Sequence, residues 1–289
     1  MAHSKSDSSQ TTLGSTDIKV SRIGTGTNRW TYGENDEPVF QVYKSLLNKG
    51  ANFFDTAEIY RNGKSELLLG DCIKRDTRQP IIASKYRPTD SRHTKKDFTQ
   101  ALDASLKRLD IQTIDLYYIH FPPTTQTIED LMNHMAEAHT KEKIRAVAVS
   151  NFNPDQMRTA AAQLETHGLT LAANQDEYSR INRETETNGI LEACRELNTS
   201  LVAYRPIARG QLTTTGTENN SKLETVIQAI AQDHGGSISQ VALNWLLRKD
   251  KLVIPIPGAT KVHHALENVG ALDWVMSRAE FNELDEASS

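Results

Sequence analysis

The sequence has few cysteines, and none of its hydrophobic runs is long enough to cross a bilayer. Only two cysteines occur among the 289 residues, Cys72 and Cys194, and both fall in apolar stretches that are typical of helices. This pattern favours buried, reduced thiols and gives no spacing for a metal site. The amino-terminal residues are polar and lack the hydrophobic segment of a secretory signal, with a short transit peptide as the alternative. We therefore expect a cytoplasmic protein that binds no metal.

A large excess of charge of one sign is also absent. The formal net charge is −4, which gives no electrostatic reason to expect nucleic acid or an anionic membrane as a partner. Apolar residues make up 37% of the chain, enough to build a substantial core. The length fits two ordinary domains or one α/β barrel, which needs about 250 residues. The sequence gives no indication of the oligomeric state.

Short β-prone runs alternate with amphipathic helical runs along the chain. The predicted strands cover residues 22–24, 52–55, 81–85, 114–120, 144–150, 172–175, 200–204 and 252–255. The predicted helices cover residues 37–48, 64–74, 95–109, 128–140, 154–167, 188–197, 223–233, 239–248, 261–271 and 278–287. Eight alternating units without a low-complexity linker predict a single (β/α)8 TIM-type barrel over residues 15–289. Residues 1–14 are predicted to form a flexible tail.

Polar residues stand where several predicted strands end. Asp55, Lys85 and His120 each close an apolar run, and Tyr60 lies in the loop after Asp55. Singly, each has an ordinary structural explanation, such as a turn cap, a half-buried aromatic, a solvated strand end or a core histidine. Because the carboxyl ends of parallel strands gather at one rim, we expect the four side chains to lie together. A phenol, an ammonium, a carboxylate and an imidazole together suit proton delivery to a carbonyl oxygen.

Five separated motifs in this chain resemble landmarks of the aldo-keto reductase family. They are GANFFDTAEIY at 50–60 with Gly63 and Ser65-Glu66, DLYYIH at 115–120, VSNF at 149–152, Asn174-Gln175 with Tyr178-Ser179, and IPIPGATK at 254–261. The resemblance covers almost the whole chain after the tail, in the expected order. It implies reduction of aldehydes, and of some ketones, with NADPH as the hydride source.

The resemblance also implies a catalytic tetrad of Asp55, Tyr60, Lys85 and His120. A phenol with a pKa of about 10 is a poor acid at neutral pH. The Lys85 ammonium would stabilise the phenolate and make Tyr60 a better proton donor, while Asp55 keeps Lys85 charged. His120 would orient the substrate carbonyl and stabilise charge on its oxygen.

The cofactor is expected to lie across the barrel mouth. A Rossmann fingerprint is disfavoured because Gly24-Thr25-Gly26 is followed by Arg29 where a third glycine would be needed. Ser150, Asn151 and Gln175 are expected to bind the carboxamide, and Tyr204 to stack on the nicotinamide. The implied cofactor-binding residues are Gly24, Thr25, Ser150, Asn151, Gln175, Tyr204, Arg205, Thr260, Lys261, His264, Glu267 and Asn268.

The adenosine end of the cofactor is expected at the start of the last barrel helix. Thr260 and Lys261 offer backbone donors and an ammonium to a 2′-phosphate, which favours NADPH over NADH. Two residues depart from the family pattern. Arg205 replaces a small hydroxyl residue, so it could contact phosphate or crowd the cofactor. His264 replaces arginine or glutamine, which weakens the phosphate contact and makes it pH-sensitive if the imidazole takes part.

The substrate pocket is expected to be open and partly aromatic. Trp30, Tyr86, Phe121 and Arg87 lie on loops beside the tetrad. Only a short segment follows the last cofactor helix, so the long closing loop of some family members is missing and broad acceptance of small carbonyl compounds is expected. Two other functions remain alternatives. One is an NADPH-binding regulatory or redox-sensing subunit with little turnover, and the other is an aldolase or isomerase with Lys85 as a Schiff-base amine.

Overall fold

The computed structural model describes residues 9–208 and 221–287. It starts with a β-hairpin in which β1 (Gln10–Thr12) pairs antiparallel with β2 (Lys19–Ser21). Leu13 and Val20 of this hairpin are buried and belong to the same apolar cluster as the residues inside the barrel. The hairpin therefore covers one end of the barrel.

The predicted flexible tail is wrong for residues 10–14. This segment has a partner strand, and the backbone N–H of Gly14 donates to the hydroxyl of Ser200 over 2.9 Å. Residues 1–8 lie outside the described residues.

Eight parallel strands follow in the order in which they occur in the chain. They are β3 (Thr25–Gly26), β4 (Phe53–Asp55), β5 (Ile81–Tyr86), β6 (Ile114–Ile119), β7 (Ile144–Ser150), β8 (Leu171–Glu177), β9 (Ser200–Tyr204) and β10 (Val253–Pro255). Each strand pairs with the next one along the chain. The first strand begins three residues later than predicted.

The first and last strands join to close the barrel. The backbone N–H of Gly24 donates to the carbonyl of Pro255 at 3.0 Å, and that of Gly26 donates to Pro257 at 3.3 Å. Gly26 and Gly258 form a parallel bridge beyond β10. The predicted (β/α)8 barrel is confirmed.

Helices cover the outside of the sheet, and their polar caps explain where several of them begin. Asn153 caps the helix that starts with Pro154, and Ser237 caps the one that starts with Ile238. The helices are α1 (Asp36–Asn48), α2 (Lys64–Lys74), α3 (Lys95–Leu109), α4 (Ile128–Thr140), α5 (Pro154–Glu165), α6 (Glu184–Thr187), α7 (Ile190–Glu196), α8 (Ser221–Asp233), α9 (Ile238–Lys249), α10 (Val262–Gly270) and α11 (Arg278–Glu286). In the described part of the chain, no helix has the length and apolar character that a bilayer crossing requires.

Strand alternation decides which side chains reach the barrel mouth. Phe53, Ala83, Tyr118 and Ala148 all belong to the apolar cluster inside the barrel. Because side chains alternate along a strand, the residue two positions later points to the same side. Those later residues are Asp55, Lys85, His120 and Ser150, so the sequence places a polar layer directly above the apolar one.

Candidate active site

The Lys85 ammonium lies at the centre of the polar layer. It forms an ion pair with Asp55 and donates to the carbonyl of Thr56 at 2.8 Å and the hydroxyl of Tyr60 at 3.4 Å. Lys85 and Asp55 are only 0% and 1% exposed. The other carboxylate oxygen of Asp55 accepts a hydrogen bond from the amide of Gln175 at 2.8 Å. Side chains from β5, β4 and β8 are thus joined in one chain across the barrel.

Opposing effects set the charges of this group. Burial acts to lower the pKa of Lys85, but the Asp55 carboxylate and Tyr60 outweigh it and raise the pKa above its usual value. Burial raises the pKa of Tyr60, and the Lys85 ammonium only reduces that rise. Lys85 is therefore an ammonium at neutral pH. Lys85 lowers the pKa of Tyr60, as expected from the sequence. The expectation that Tyr60 is more acidic overall is wrong, because burial raises its pKa by more than Lys85 lowers it.

His120 stands beside the phenol at the mouth. Its ring meets the Tyr60 ring edge-on, with the centroids 5.8 Å apart, and stacks on the Phe121 ring at 4.8 Å. Burial, with the charges of Lys85 and Arg87, lowers the pKa of His120 to about 2. Its Nδ1 atom is buried and has no hydrogen-bond partner among the described residues. The imidazole is therefore neutral, and a neutral ring carries one N–H donor and one acceptor.

The Tyr60 loop has a constrained backbone. Tyr60–Gly63 forms a 3₁₀ turn, in which Arg61 and Asn62 have φ values of 52° and 54°. Residues other than glycine seldom adopt this left-handed region, and such conformations persist where surrounding contacts enforce them. Arg61 Nε donates to the carbonyl of Asn28 at 3.2 Å, which ties this loop to the one after β3.

A second group of polar side chains lies next to the tetrad. The Asn151 amide donates to the carbonyl of His120 and to the hydroxyl of Ser150, both at 3.0 Å, and its oxygen accepts from the hydroxyl of Tyr204 at 3.1 Å. The Ser150 hydroxyl donates to the carbonyl of Gln175 at 3.0 Å. Asn151 is held at a φ of 60°. The structure thus brings together the four residues predicted for the nicotinamide end of the cofactor.

Arg205 forms an ion pair with a neighbouring acidic residue. Its guanidinium pairs with Glu177 at 2.6 Å and lies 5.6 Å from the centre of the Tyr204 ring. The ion pair holds the charge next to the aromatic ring at the rim.

The residues predicted for the adenosine end lie at and inside the start of α10. Lys261 is the N-cap residue but makes no side-chain cap, so the first N–H groups of the helix have no such partner. Lys261 and His264 are exposed, Thr260 is half-buried, and Asn268 is buried. His264 Nδ1 lies 3.9 Å from the carboxylate of Glu267.

Comparison with known proteins identifies the family. The model of the aldo/keto reductase family matches residues 22–289. The chain belongs to the aldo-keto reductase family. The resemblance predicted from the five motifs is confirmed.

Relatives of this aldo-keto reductase are similar over most of its length. Chloroplastic pyridoxal reductase of Arabidopsis thaliana is 30% identical over 94% of this chain and 84% of its own. The structure of a thermostable aldo-keto reductase with the inhibitor epalrestat is 32% identical, with a TM-score of 0.86 over 96% of this chain and 99% of its own. An aldo/keto reductase from Klebsiella pneumoniae, in complex with NADP and acetate, is 25% identical, with a TM-score of 0.84 over 96% and 95%.

Two residues predicted to line the substrate pocket of this aldo-keto reductase are closed off from it. Trp30 is 0% exposed, and its indole N–H donates to the carbonyl of Ala259 at 2.8 Å. Tyr86 is also 0% exposed, and its hydroxyl donates to the carbonyl of Arg92 at 2.7 Å. Tyr86 follows Lys85 in β5, so alternation turns it outward against the helices. The third residue, Phe121, is 39% exposed beside His120.

Gly24 and Thr25 are likewise buried. A Cβ atom on Gly24 would lie 2.6 Å from the Phe53 ring, so glycine is needed there for close packing at the barrel seam. Thr25 lies within β3 and is buried. Cofactor contacts at these two residues stay a prediction.

The supports beneath the Tyr60 loop were not assigned a role from the sequence. The Ser65 hydroxyl donates to the carbonyl of Thr27 and lies within hydrogen-bond distance of the hydroxyls of Thr27 and Thr56. The buried Glu66 accepts from Ser84 and Arg108, both at 2.6 Å. These contacts fix the start of α2 to four neighbouring segments, namely the loops after β3 and β4, the strand β5 and the helix α3. The sequence did contain a signal for this role, because the polar pair Ser65 and Glu66 falls on the apolar side of the helix predicted over residues 64–74.

Proposed function

We propose that this aldo-keto reductase uses NADPH to reduce aldehydes, and some ketones, to alcohols with Tyr60 as the proton donor. The observation that carries the proposal is the direction of the hydrogen bond between Lys85 and Tyr60. The Tyr60 oxygen accepts from the ammonium, so its own hydrogen is available for a carbonyl oxygen at the mouth. As the proton leaves, the nearby ammonium stabilises the phenolate.

His120 and Asp55 have complementary roles in the proposal. The neutral imidazole donates its N–H to the carbonyl oxygen, which orients the substrate and stabilises developing negative charge. The Asp55 carboxylate keeps Lys85 charged and fixes its position, and Gln175 fixes Asp55 in turn. Deep burial strengthens each of these interactions because little water competes.

The residues at the mouth fit a pyridine dinucleotide. Asn151 presents an amide whose oxygen retains one lone pair after accepting from Tyr204, which suits a carboxamide. The uncapped start of α10 and the exposed Lys261 suit a phosphate, which favours NADPH over NADH. When bound, the cofactor supplies the hydride that is added to the carbonyl carbon. The NADP complex of the Klebsiella relative supports this choice.

One alternative from the sequence is disfavoured by the charge of Lys85. A Schiff-base lysine must be a free amine to attack a carbonyl, yet Asp55 holds Lys85 as a buried ammonium. We retain the cytoplasm as the proposed location, supported by the two buried free cysteines.

The loss of NADPH absorbance with aldehydes, including pyridoxal, and with ketones tests the proposal. We expect turnover by the wild type and a decrease in kcat of about 10²–10⁴-fold in Tyr60→Phe, with NADPH affinity unchanged. Equal turnover by the two proteins would exclude Tyr60 as the proton donor. A wild type that binds NADPH but oxidises it with none of these compounds would instead support the regulatory function.

A further inference from the structure

We propose that Arg87 binds an anionic group of the substrate, so that the preferred substrates are aromatic aldehydes carrying a carboxylate or a phosphate. This inference rests on the proposed function and adds a substrate class to it. The side chains involved are Arg87 and Phe121, next to the catalytic His120 at the carboxyl ends of β5 and β6.

The first argument is the uncompensated charge of Arg87. Three cations act electrostatically on Tyr60 and His120, namely Lys85, Arg205 and Arg87. Lys85 is paired with Asp55 and Arg205 with Glu177. Within the described residues, no carboxylate pairs with the guanidinium of Arg87. Among the residues that the structure describes, this positive charge beside the catalytic imidazole thus has no counterion.

The nearby acids already have other partners. Glu58 accepts the backbone N–H of Arg87 through one carboxylate oxygen and pairs with Arg92 through the other, both at 2.8 Å. Asp90 accepts from the hydroxyls of Thr124 at 2.5 Å and Thr125 at 3.0 Å. The contact from Glu58 fixes the backbone of Arg87 at the rim but does not neutralise its side chain. A bound anion would neutralise the guanidinium.

The second argument is the aromatic surface between Arg87 and the reacting atoms. The guanidinium carbon of Arg87 lies 5.5 Å from the centre of the Phe121 ring, which itself stacks on His120. Phe121 is 39% exposed, so one part of the ring is open to a ligand. With its carbonyl at His120, an aromatic aldehyde would lie along Phe121 and direct a ring substituent towards Arg87. Planar guanidinium donors match carboxylate and phosphate oxygens in pairs.

The test compares matched aldehydes. We would measure kcat/KM at saturating NADPH for para-carboxybenzaldehyde, its methyl ester, para-formylphenyl phosphate and benzaldehyde. The proteins would be the wild type, Arg87→Gln, Arg87→Lys and the control Arg158→Gln, whose arginine lies on α5 and pairs with Glu196. We expect the wild type to prefer the anionic aldehydes by about tenfold or more over the neutral ones.

Arg87→Gln should remove this preference, measured within the variant as the ratio of kcat/KM for para-carboxybenzaldehyde to that for its methyl ester, since a charge-assisted bond is lost only with the anionic substrates. Arg87→Lys should restore part of the preference, and Arg158→Gln should behave as the wild type. A response of only one of the two anionic aldehydes would decide between a carboxylate and a phosphate. The preference should also decrease at high salt.

Three results would overturn the inference. Benzaldehyde turnover without any anionic preference would reject the role of Arg87 and leave the proposed function intact. A rise in KM for NADPH in Arg87→Gln, with the aldehyde preference unchanged, would assign this arginine to the cofactor. If no aldehyde is reduced, the proposed function fails, and calorimetric titration with benzoate and benzamide still tests Arg87. Benzoate that binds no more tightly than benzamide would then reject the anion site.

Discussion

Asp55 is the residue on which the charge state of the site depends most directly. Asp55→Asn would leave the Lys85 ammonium buried without a carboxylate, so burial would lower the pKa of Lys85 with only Tyr60 acting against it. Removing one partner of a buried ion pair costs about 3–5 kcal/mol, and we expect a decrease of that size in the free energy of unfolding. Urea unfolding at neutral pH measures it.

A surface pair provides the control for this substitution. Asp71→Asn breaks the partly exposed contact with Arg75, and we expect a change of no more than about 1 kcal/mol. If the two variants lose the same amount of stability, the carboxylate of Asp55 is not what holds Lys85 charged.

His120 predicts a pH dependence of stability. Its pKa is lowered from 6.5 to about 2 in the folded protein, so below pH 6.5 the unfolded chain binds a proton that the folded chain does not. Stability from this residue is therefore complete above pH 6.5 and is lost as the pH falls, by about 1.4 kcal/mol for each pH unit. Urea unfolding should show His120→Gln losing about 2 kcal/mol less than the wild type between pH 7 and pH 5. Parallel losses in both proteins would contradict a neutral buried imidazole.

At the residue scale, the sequence predicted most reliably the positions of the residues whose side chains would carry the reaction. Asp55, Tyr60, Lys85 and His120 come together as expected because each lies at or just beyond the end of a parallel strand. Tyr86 was misplaced although the two-residue period of a strand already excludes it from the face that carries Lys85. The burial of Trp30 could not have been predicted from the sequence, because its indole bonds to Ala259, which is 229 positions away in the chain.

Among the secondary structure elements, α2 and α3 approach each other closely at Gly70. A Cβ atom there would lie 2.7 Å from the carbonyl oxygens of Arg108 and Leu109, and these backbone atoms cannot move independently of α3. We expect Gly70→Ala to lower the free energy of unfolding by about 1–3 kcal/mol through overpacking. Thermal or urea unfolding measures the loss, with the exposed Lys74→Ala in the same helix as a near-neutral control. A stabilised Gly70→Ala would mean that the two helices separate readily.

Element positions were predictable where an apolar period or a cap was present, as in α3, α4 and α5. The first barrel strand was not, because β3 has only two residues, Thr25 and Gly26, and shows no apolar period. Its position is set by pairing with Phe54 and Asp55 of β4 and by bonds to the chain after β10. The left-handed turn at Arg61 and Asn62 was missed for a similar reason, since neither residue type specifies such a backbone.

For the whole molecule, the hairpin of β1 and β2 extends the core beyond the barrel strands. Leu13 is completely buried with the residues inside the barrel, so Leu13→Ala should lower the free energy of unfolding by about 2–5 kcal/mol. Because the hairpin covers the end opposite to the mouth, KM for an aldehyde should stay unchanged. The exposed Lys19→Ala of β2 is the control. A raised KM with intact stability would contradict this assignment.

The closed barrel as a whole followed from eight regular repeats, but the covering of its lower end did not. The segment at residues 10–14 is short and polar except for Leu13, and a single apolar residue gives no period to detect. This segment is held in place by pairing with β2 and by the hydrogen bond from Gly14 to Ser200, and the sequence does not show either contact.

The contacts from Gln175 through Asp55 to Lys85 span the inside of the barrel. The groups that set the reactivity of Tyr60 therefore also connect the strands of the barrel, like a brace. Selection for a durable scaffold and selection for turnover would therefore preserve the same three side chains. A descendant that gave up catalysis would be expected to lose Tyr60 or His120 long before this brace. In sequence surveys, the phenol and the imidazole are thus better markers of an active enzyme than the ion pair beneath them.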